Sequence, residues 1–214
     1  MAHIILFFTL FALSCTLALA SPLQDFCVFD RNSPVLVNGL ACKDPEVVQA
    51  EDFYFGGFDK PGNTSNFLGN SLITVLADKI PGLNKLGIGL ARRDFAPGGV
   101  AQPHYHPRAT EVLTVLKGSI YAGFVTTNPQ NRLFSKILHK GDVFVFPLGL
   151  IHFQRNVGRG IAITISALSN ENPGVIVVPN SIFGSNGTIP IELLTTAFQL
   201  DKKVVEELQS KFTI

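Results

Sequence analysis

The chain has 214 residues, the length of one large domain or two small ones, and all-β barrels of this size are common as single units. Charged residues make up only 15% of it, and 17 Lys and Arg nearly balance 16 Asp and Glu, so no broad basic field exists to hold nucleic acid or an acidic lipid surface. A single domain is expected, and nucleic-acid binding is set aside.

Residues Ile4 to Ala20 form an uncharged apolar run ending in Ala18-Leu19-Ala20, whose small first and third residues suit signal peptidase. Its most apolar part, Ile4 to Leu13, is too short to cross about 30 Å of hydrocarbon, and no later run is long enough. Residues 1–20 therefore read as a secretory signal peptide cleaved after Ala20, although His3 is the only side chain of its positive region. Cleavage removes Cys15 and leaves Cys27 and Cys42, whose pairing is the simple reading in an oxidising compartment. A bridge across a loop of about fifteen residues contributes about 3 kcal/mol, mainly by restricting the unfolded chain. The sequons Asn63-Thr64-Ser65 and Asn186-Gly187-Thr188 mark Asn63 and Asn186 as glycosylation candidates on the same route.

Residues 21–69, with the disulfide and the stretch from Gly56-Gly57 to Pro61-Gly62, read as an irregular N-terminal arm. Residues 70–190 read as a β-barrel or sandwich. Short apolar segments recur there at Leu86 to Phe95, Glu111 to Leu116, Ile120 to Val125, Leu133 to His139, Val143 to Phe146 and Ile161 to Leu168. Pro97-Gly98-Gly99, Lys117-Gly118 and Lys140-Gly141-Asp142 supply glycine where tight reversals need positive φ. In residues 191–214, Leu194, Ala197, Phe198, Val204, Val205, Leu208 and Phe212 recur at steps that mark amphipathic helix, whose stripe must cover the barrel or a neighbouring subunit.

Three of the four histidines after Ala20 lie in two stretches framed by Pro and Gly. The first runs from Gly98 through Pro103-His104-Tyr105-His106-Pro107 to Glu111. On extended backbone His104 and His106 share a face, and the two prolines forbid helix there. Glu111 adds a carboxylate if the chain curls back into the same cavity. The second, Gly141 to Asn156, delivers His152 after a Pro147-Leu148-Gly149 turn. Three imidazoles and one carboxylate suit Mn, Fe, Ni or Zn better than calcium or cuprous copper. His139 lies outside both stretches and reads as a solvated residue.

The two stretches resemble the paired boxes of the cupin superfamily in the form carried by plant germins and germin-like proteins. Gly98, His104, His106, Glu111 and Gly118 take the spaced positions of the first box, and Gly141, Pro147, Gly149, His152 and Asn156 those of the second. The likeness extends from Gln24-Asp25-Phe26-Cys27 through Arg92-Arg93-Asp94-Phe95 to Asn172-Pro173-Gly174. It implies an all-β cupin jelly-roll barrel with a C-terminal helical extension, Mn as cofactor on His104, His106, Glu111 and His152, and a Cys27–Cys42 bridge. It also implies a homo-oligomer, a hexamer built as a trimer of dimers, in the extracellular matrix, apoplast or cell wall. Asn63 is the sequon it favours, and Gln154 matches a polar site residue that would orient a small ligand.

Family members either oxidise oxalate, dismute superoxide, or serve without an assigned activity. Two asparagines that help hold oxalate in the oxidases correspond to Ala91 and Ala101 here. A methyl group donates no hydrogen bond, and losing one such donor in a dry site can cost about 2.7 to 4 kcal/mol. The sequence thus points to a Mn-dependent superoxide dismutase. Oxalate oxidase, nucleotide-sugar phosphodiesterase and a non-enzymatic wall-associated metal-binding protein are the alternatives; no phosphate-cradling Gly-rich loop supports the phosphodiesterase.

Overall fold

The computed structural model describes residues 25–35 and 39–212, so the expected signal peptide lies outside the described residues. Ten strands form two antiparallel five-stranded sheets. The first holds, in spatial order, β1 (Asn70–Val75), β2 (Gly89–Phe95), β9 (Ala162–Leu168), β4 (Glu111–Lys117) and β7 (Val143–Phe146). The second holds β10 (Ile176–Val177), β3 (Val100–Tyr105), β8 (His152–Asn156), β5 (Ser119–Val125) and β6 (Leu133–His139). The expected all-β architecture with a helical extension is what the chain adopts. The apolar segments anticipated from the sequence appear as strands, and β1, β3, β8 and β10 join them.

Side chains of both sheets meet in one core of Phe95, Ala101, Leu113, Val115, Ile120, Ala122, Leu138, Phe146 and Ala162. The alternation that builds it also leaves space. On β9 the inward positions are Ala162, Thr164, Ser166 and Leu168, while the bulkier Ile163 and Ile165 take the other face. Small inward side chains at the centre of a sheet keep part of the barrel unfilled. Gly118, between β4 and β5, has φ of 84°, and a Cβ there would lie 2.6 Å from that of Ala162, so both backbone and packing exclude a larger residue. Asn156 is buried and ties two turns together, donating to the carbonyls of Ala96 (2.9 Å) and Gly160 (2.8 Å) and accepting from the amide of Gly158 (2.9 Å).

A disulfide joins Cys27 to Cys42 in the arm, and the Phe29 amide donates to the Pro81 carbonyl at 2.9 Å. Further along, the arm is pinned by charge. Arg92 and Asp94, two apart on β2, are both buried and form a bidentate pair at 3.0 and 2.7 Å. Arg92 also donates to the carbonyls of Phe58 (3.2 Å) and Asp59 (2.8 Å), and Asp94 accepts from the Gly62 amide (3.1 Å). The sequons Asn63 and Asn186 are both exposed.

The tail is helical, as expected. It holds α1 (Val178–Phe183), α2 (Ile191–Phe198) and α3 (Lys202–Phe212), with α2 and α3 separated at Gln199, whose φ of 52° is left-handed. Each short helix therefore presents its own face. Leu194 and Val205 of the anticipated stripe are buried, Leu208 and Phe212 are half-buried, and Ala197, Phe198 and Val204 are exposed. Helix α1 packs on β3, and α3 packs on α1 and α2. Among the described residues no helix is long and apolar enough to cross a membrane.

The Asp94→Ala variant would leave the Arg92 guanidinium buried without its counter-ion. It is expected to lose about 3 kcal/mol or more of stability, seen as a lower urea midpoint. An unchanged midpoint would contradict the pinning role.

Candidate metal centre

The strand ends deliver four ligand-type side chains to one point. Strand β3 shifts register by one residue between Ala101 and His104, where Pro103 has no amide to pair. Beyond the shift His104 stands directly opposite His152, the first residue of β8. His106 follows just past the end of β3, and the Gly149 amide donates to its carbonyl at 3.2 Å, joining the two framed stretches. Glu111 comes from the facing sheet as the first residue of β4, so the chain does curl back into the same cavity. One ligand atom from each of His104, His106, Glu111 and His152 lies within 4.8 Å of the other three.

Hydrogen bonds to the far side of each ring fix which atom faces inward. Nδ1 of His104 donates to the Gln102 carbonyl (2.7 Å), that of His106 to the Gly174 carbonyl (2.6 Å), and that of His152 to the Leu150 carbonyl (2.8 Å). A carbonyl only accepts, so Nδ1 carries the proton and Nε2 offers a lone pair to the centre. Glu111 is oriented in the same way: the Ser166 hydroxyl donates to Oε1 at 2.6 Å and leaves Oε2 facing the rings. The Phe146 ring stacks on His152 with centroids 4.4 Å apart, which fixes the ring plane.

Oε2 lies 3.1 Å from His106 Nε2 and 3.3 Å from His152 Nε2. Acceptors thus face both nitrogens of the His106 and His152 rings. His152 Nε2 is buried and has no hydrogen-bond partner, as expected when a lone pair meets a carboxylate with no proton between them. Such rings are satisfied by a second proton or by a cation shared between Nε2 and Oε2. Burial, reinforced by the adjacent His152, pushes His104 down to about 3, which keeps it neutral and able to coordinate. Burial lowers His106 too, but the Glu111 carboxylate and the Gly174 carbonyl outweigh it and raise its pKa. Burial alone would raise Glu111; His106, His152 and Ser166 hold it well below the usual carboxylate range. Three neutral nitrogens and one carboxylate oxygen fit a divalent first-row metal.

His104, His106 and Glu111 of this group line a cavity of about 250 Å³, walled by Leu72, Leu76, Leu168 and Val175 and reached by Thr74, Thr164 and Asn172. Gln154, two residues along β8 from His152, is buried and faces this cavity. Ala91 also lines it, whereas Ala101 is packed into the core opposite Gln154. His139 stays apart, exposed on β6 with Nδ1 3.1 Å from the Ser119 hydroxyl. Two residues of the site were missed from sequence, Ser166 and Arg93; strand register turns each inward, at Ala91-Arg93-Phe95 and Thr164-Ser166.

Residues 56–206 match the cupin family. The chain is 56% identical over 194 residues to germin-like protein 8-2 of Oryza sativa subsp. japonica, covering 90% of this chain and 88% of that one. The chain belongs to the germin-like proteins of the cupin family. Germin-like protein subfamily 1 member 16 of Arabidopsis thaliana is similar at 56% identity over 194 residues, with 90% and 87% coverage. Among solved structures, recombinant oxalate oxidase in complex with glycolate superimposes on this germin-like chain with a TM-score of 0.86 at 41% identity, covering 90% of this chain and 96% of that one.

Because Ser166 alone fixes Oε1 of Glu111 through a side-chain hydroxyl, the Ser166→Ala variant of this germin-like chain is expected to bind Mn²⁺ about ten- to a hundredfold more weakly in equilibrium dialysis. Equal affinity would show that the carboxylate needs no such support.

Proposed function

We propose that this chain is a secreted, manganese-dependent superoxide dismutase acting in the extracellular matrix, apoplast or cell wall. The observation that carries the reading is the convergence of three imidazole Nε2 atoms and Glu111 Oε2 on one point, with His152 Nε2 buried and unpartnered. His104, His106, Glu111 and His152 would hold the ion. When bound, manganese supplies the one-electron cycling by which two superoxide anions and two protons become O₂ and H₂O₂.

The chain's own residues set the conditions for that chemistry. The three Nδ1–H···O=C bonds hold the rings in the tautomer that coordinates, and Ser166 holds the carboxylate. Leu72, Leu76, Leu168 and Val175 keep the cavity walls apolar, while Gln154 and Thr164 are placed to hydrogen-bond a small ligand. Oxalate oxidation is disfavoured by Ala91, which presents a methyl to the cavity, and by Ala101, which is packed away from it.

Secretion is supported by the apolar run ending in Ala18-Leu19-Ala20, by the Cys27–Cys42 disulfide and by the exposed sequons, of which Asn63 is the favoured one. With residues 1–20 removed, 21–214 would act as one unit. A homo-oligomer, a trimer of dimers, is supported by exposed apolar side chains on strand faces, among them Val112, Val143 and Val145.

The test uses the secreted protein loaded with Mn²⁺, beside a His104→Ala, His106→Ala double variant. Wild type is expected to carry near-stoichiometric Mn, to sediment as a hexamer and to remove superoxide faster than the same amount of free Mn, with no H₂O₂ released from oxalate. The variant is expected to lose Mn and activity together. A Mn-loaded wild type no faster than free Mn would overturn the dismutase reading and favour a binding role for the metal site.

A further inference from the structure

The three bonds that fix the ring tautomers differ in reach. His104 and His152 each donate from Nδ1 to a carbonyl two residues earlier in the chain, that of Gln102 and that of Leu150. His106 donates instead to Gly174, 68 residues away. Two of the rings therefore carry their support within their own turn, and the third depends on where a separate segment, residues 172–175, lies along the cavity wall.

That segment is anchored on both sides of Gly174. Downstream, β10 pairs Ile176 with Tyr105 and Val177 with His104. Upstream the anchor is Arg108, two residues past His106. Its amide donates to the Pro173 carbonyl at 3.2 Å, its Nε to the Asn172 carbonyl at 2.8 Å and its Nη2 to Asn172 Oδ1 at 3.1 Å. Nε and Nη2 thus grip one residue through a planar fork, which a lysine could not reproduce. Gly174 has a left-handed φ of 65°, and a Cβ there would lie 2.9 Å from Arg108 Nη2 and 3.0 Å from Pro107 Cγ, so the guanidinium lies directly against this glycine. Arg108 is exposed, yet among the described residues it forms no ion pair within 4.0 Å. Its listed work is to hold this segment by hydrogen bonds.

We propose that Arg108 is a positioning residue for the metal centre: by clasping Asn172 and Pro173 it holds the Gly174 carbonyl against Nδ1 of His106. The turn at 106–108 and the segment at 172–174 fix each other, with His106 and Arg108 both donating across the same gap. Without the clasp the peptide that carries the acceptor is free to rotate. The His106 ring then loses the bond that sets its plane and keeps its proton on Nδ1, and the Nε2 lone pair is no longer aimed at the other ligands. The effect falls on His106, because Gln102 and Leu150 lie outside the clasped segment. The inference rests on the reading of the four residues as metal ligands; it deepens that reading by naming the exposed residue that prepares one of them.

The test measures Mn²⁺ affinity by equilibrium dialysis and the electron paramagnetic resonance spectrum of each Mn²⁺-loaded protein, with the melting temperature of every sample. Arg108→Ala is expected to weaken Mn²⁺ binding about tenfold and to change the spectrum, which reports the arrangement of ligands around the ion. Arg108→Lys, with a donor but no fork, is expected to fall between. Arg132→Ala, which removes an exposed arginine stacked on Phe134 of β6, is expected to leave affinity and spectrum as in wild type. Should Arg108→Ala not fold, Asn172→Ala, which removes one acceptor of the fork, is expected to weaken binding about threefold and to change the spectrum in the same direction. A wild-type spectrum from loaded Arg108→Ala, whatever its affinity, or an equal change in Arg132→Ala would overturn the proposal. Wild type that takes up no Mn²⁺ would overturn the metal reading, and the positioning role with it.

Discussion

A carboxylate buried between two β-sheets is costly to keep ionised, because the barrel interior offers little of the solvation that water gives. Glu111 occupies that position, and much of the surrounding structure is arranged around its charge. It reaches from the sheet containing β4 toward three histidines carried by or beside strands of the other sheet, so the two layers meet through one ionised group. Ser166 takes one oxygen, and His106 and His152 face the other. Each histidine is committed on its far side to a backbone carbonyl, which leaves lone pairs and one negative charge looking at the same point. That arrangement is poorly satisfied by itself and well satisfied by a divalent cation.

The same constraint explains the interior of β9. A strand at the centre of its sheet usually turns its largest apolar residues inward, yet here Thr164 and Ser166 face the cavity while Ile163 and Ile165 do not. Small polar side chains make room for a ligand and hold Glu111. Apolar packing resumes next to the site with Phe146 against His152, so the metal ligands sit at the boundary between a filled core and an open cavity.

Most of this was legible from residues. His104 and His106 are two apart between prolines, which puts two imidazoles on one face, while the place of His152 beside them came from the resemblance to the two cupin boxes. The strands announced themselves through apolar segments and glycine turns. Arg93 was not legible, because Arg92, Arg93 and Asp94 are all charged and hydropathy offers no means of choosing which faces the barrel. Register with Leu72 and Thr164 makes that choice. Ser166 was hidden for a related reason, since a lone serine in an apolar strand signals nothing until its neighbour across the sheet is known. The helices of the tail were legible from their apolar spacing, but the break between them was not, because the left-handed residue there is Gln199 and not the usual glycine.

The functional consequence is a site whose parts have separable duties. Ring tautomers and the Ser166 bond prepare the ligands, and the cavity walls limit what can approach. The central claim concerns the ligands. It is tested most directly by crystallography of the secreted protein with anomalous data collected on both sides of the manganese absorption edge. The account predicts one manganese peak bonded to Nε2 of His104, His106 and His152 and to Oε2 of Glu111. A Mn-containing crystal with no peak at that point, or one bonded through Nδ1 atoms, would contradict it.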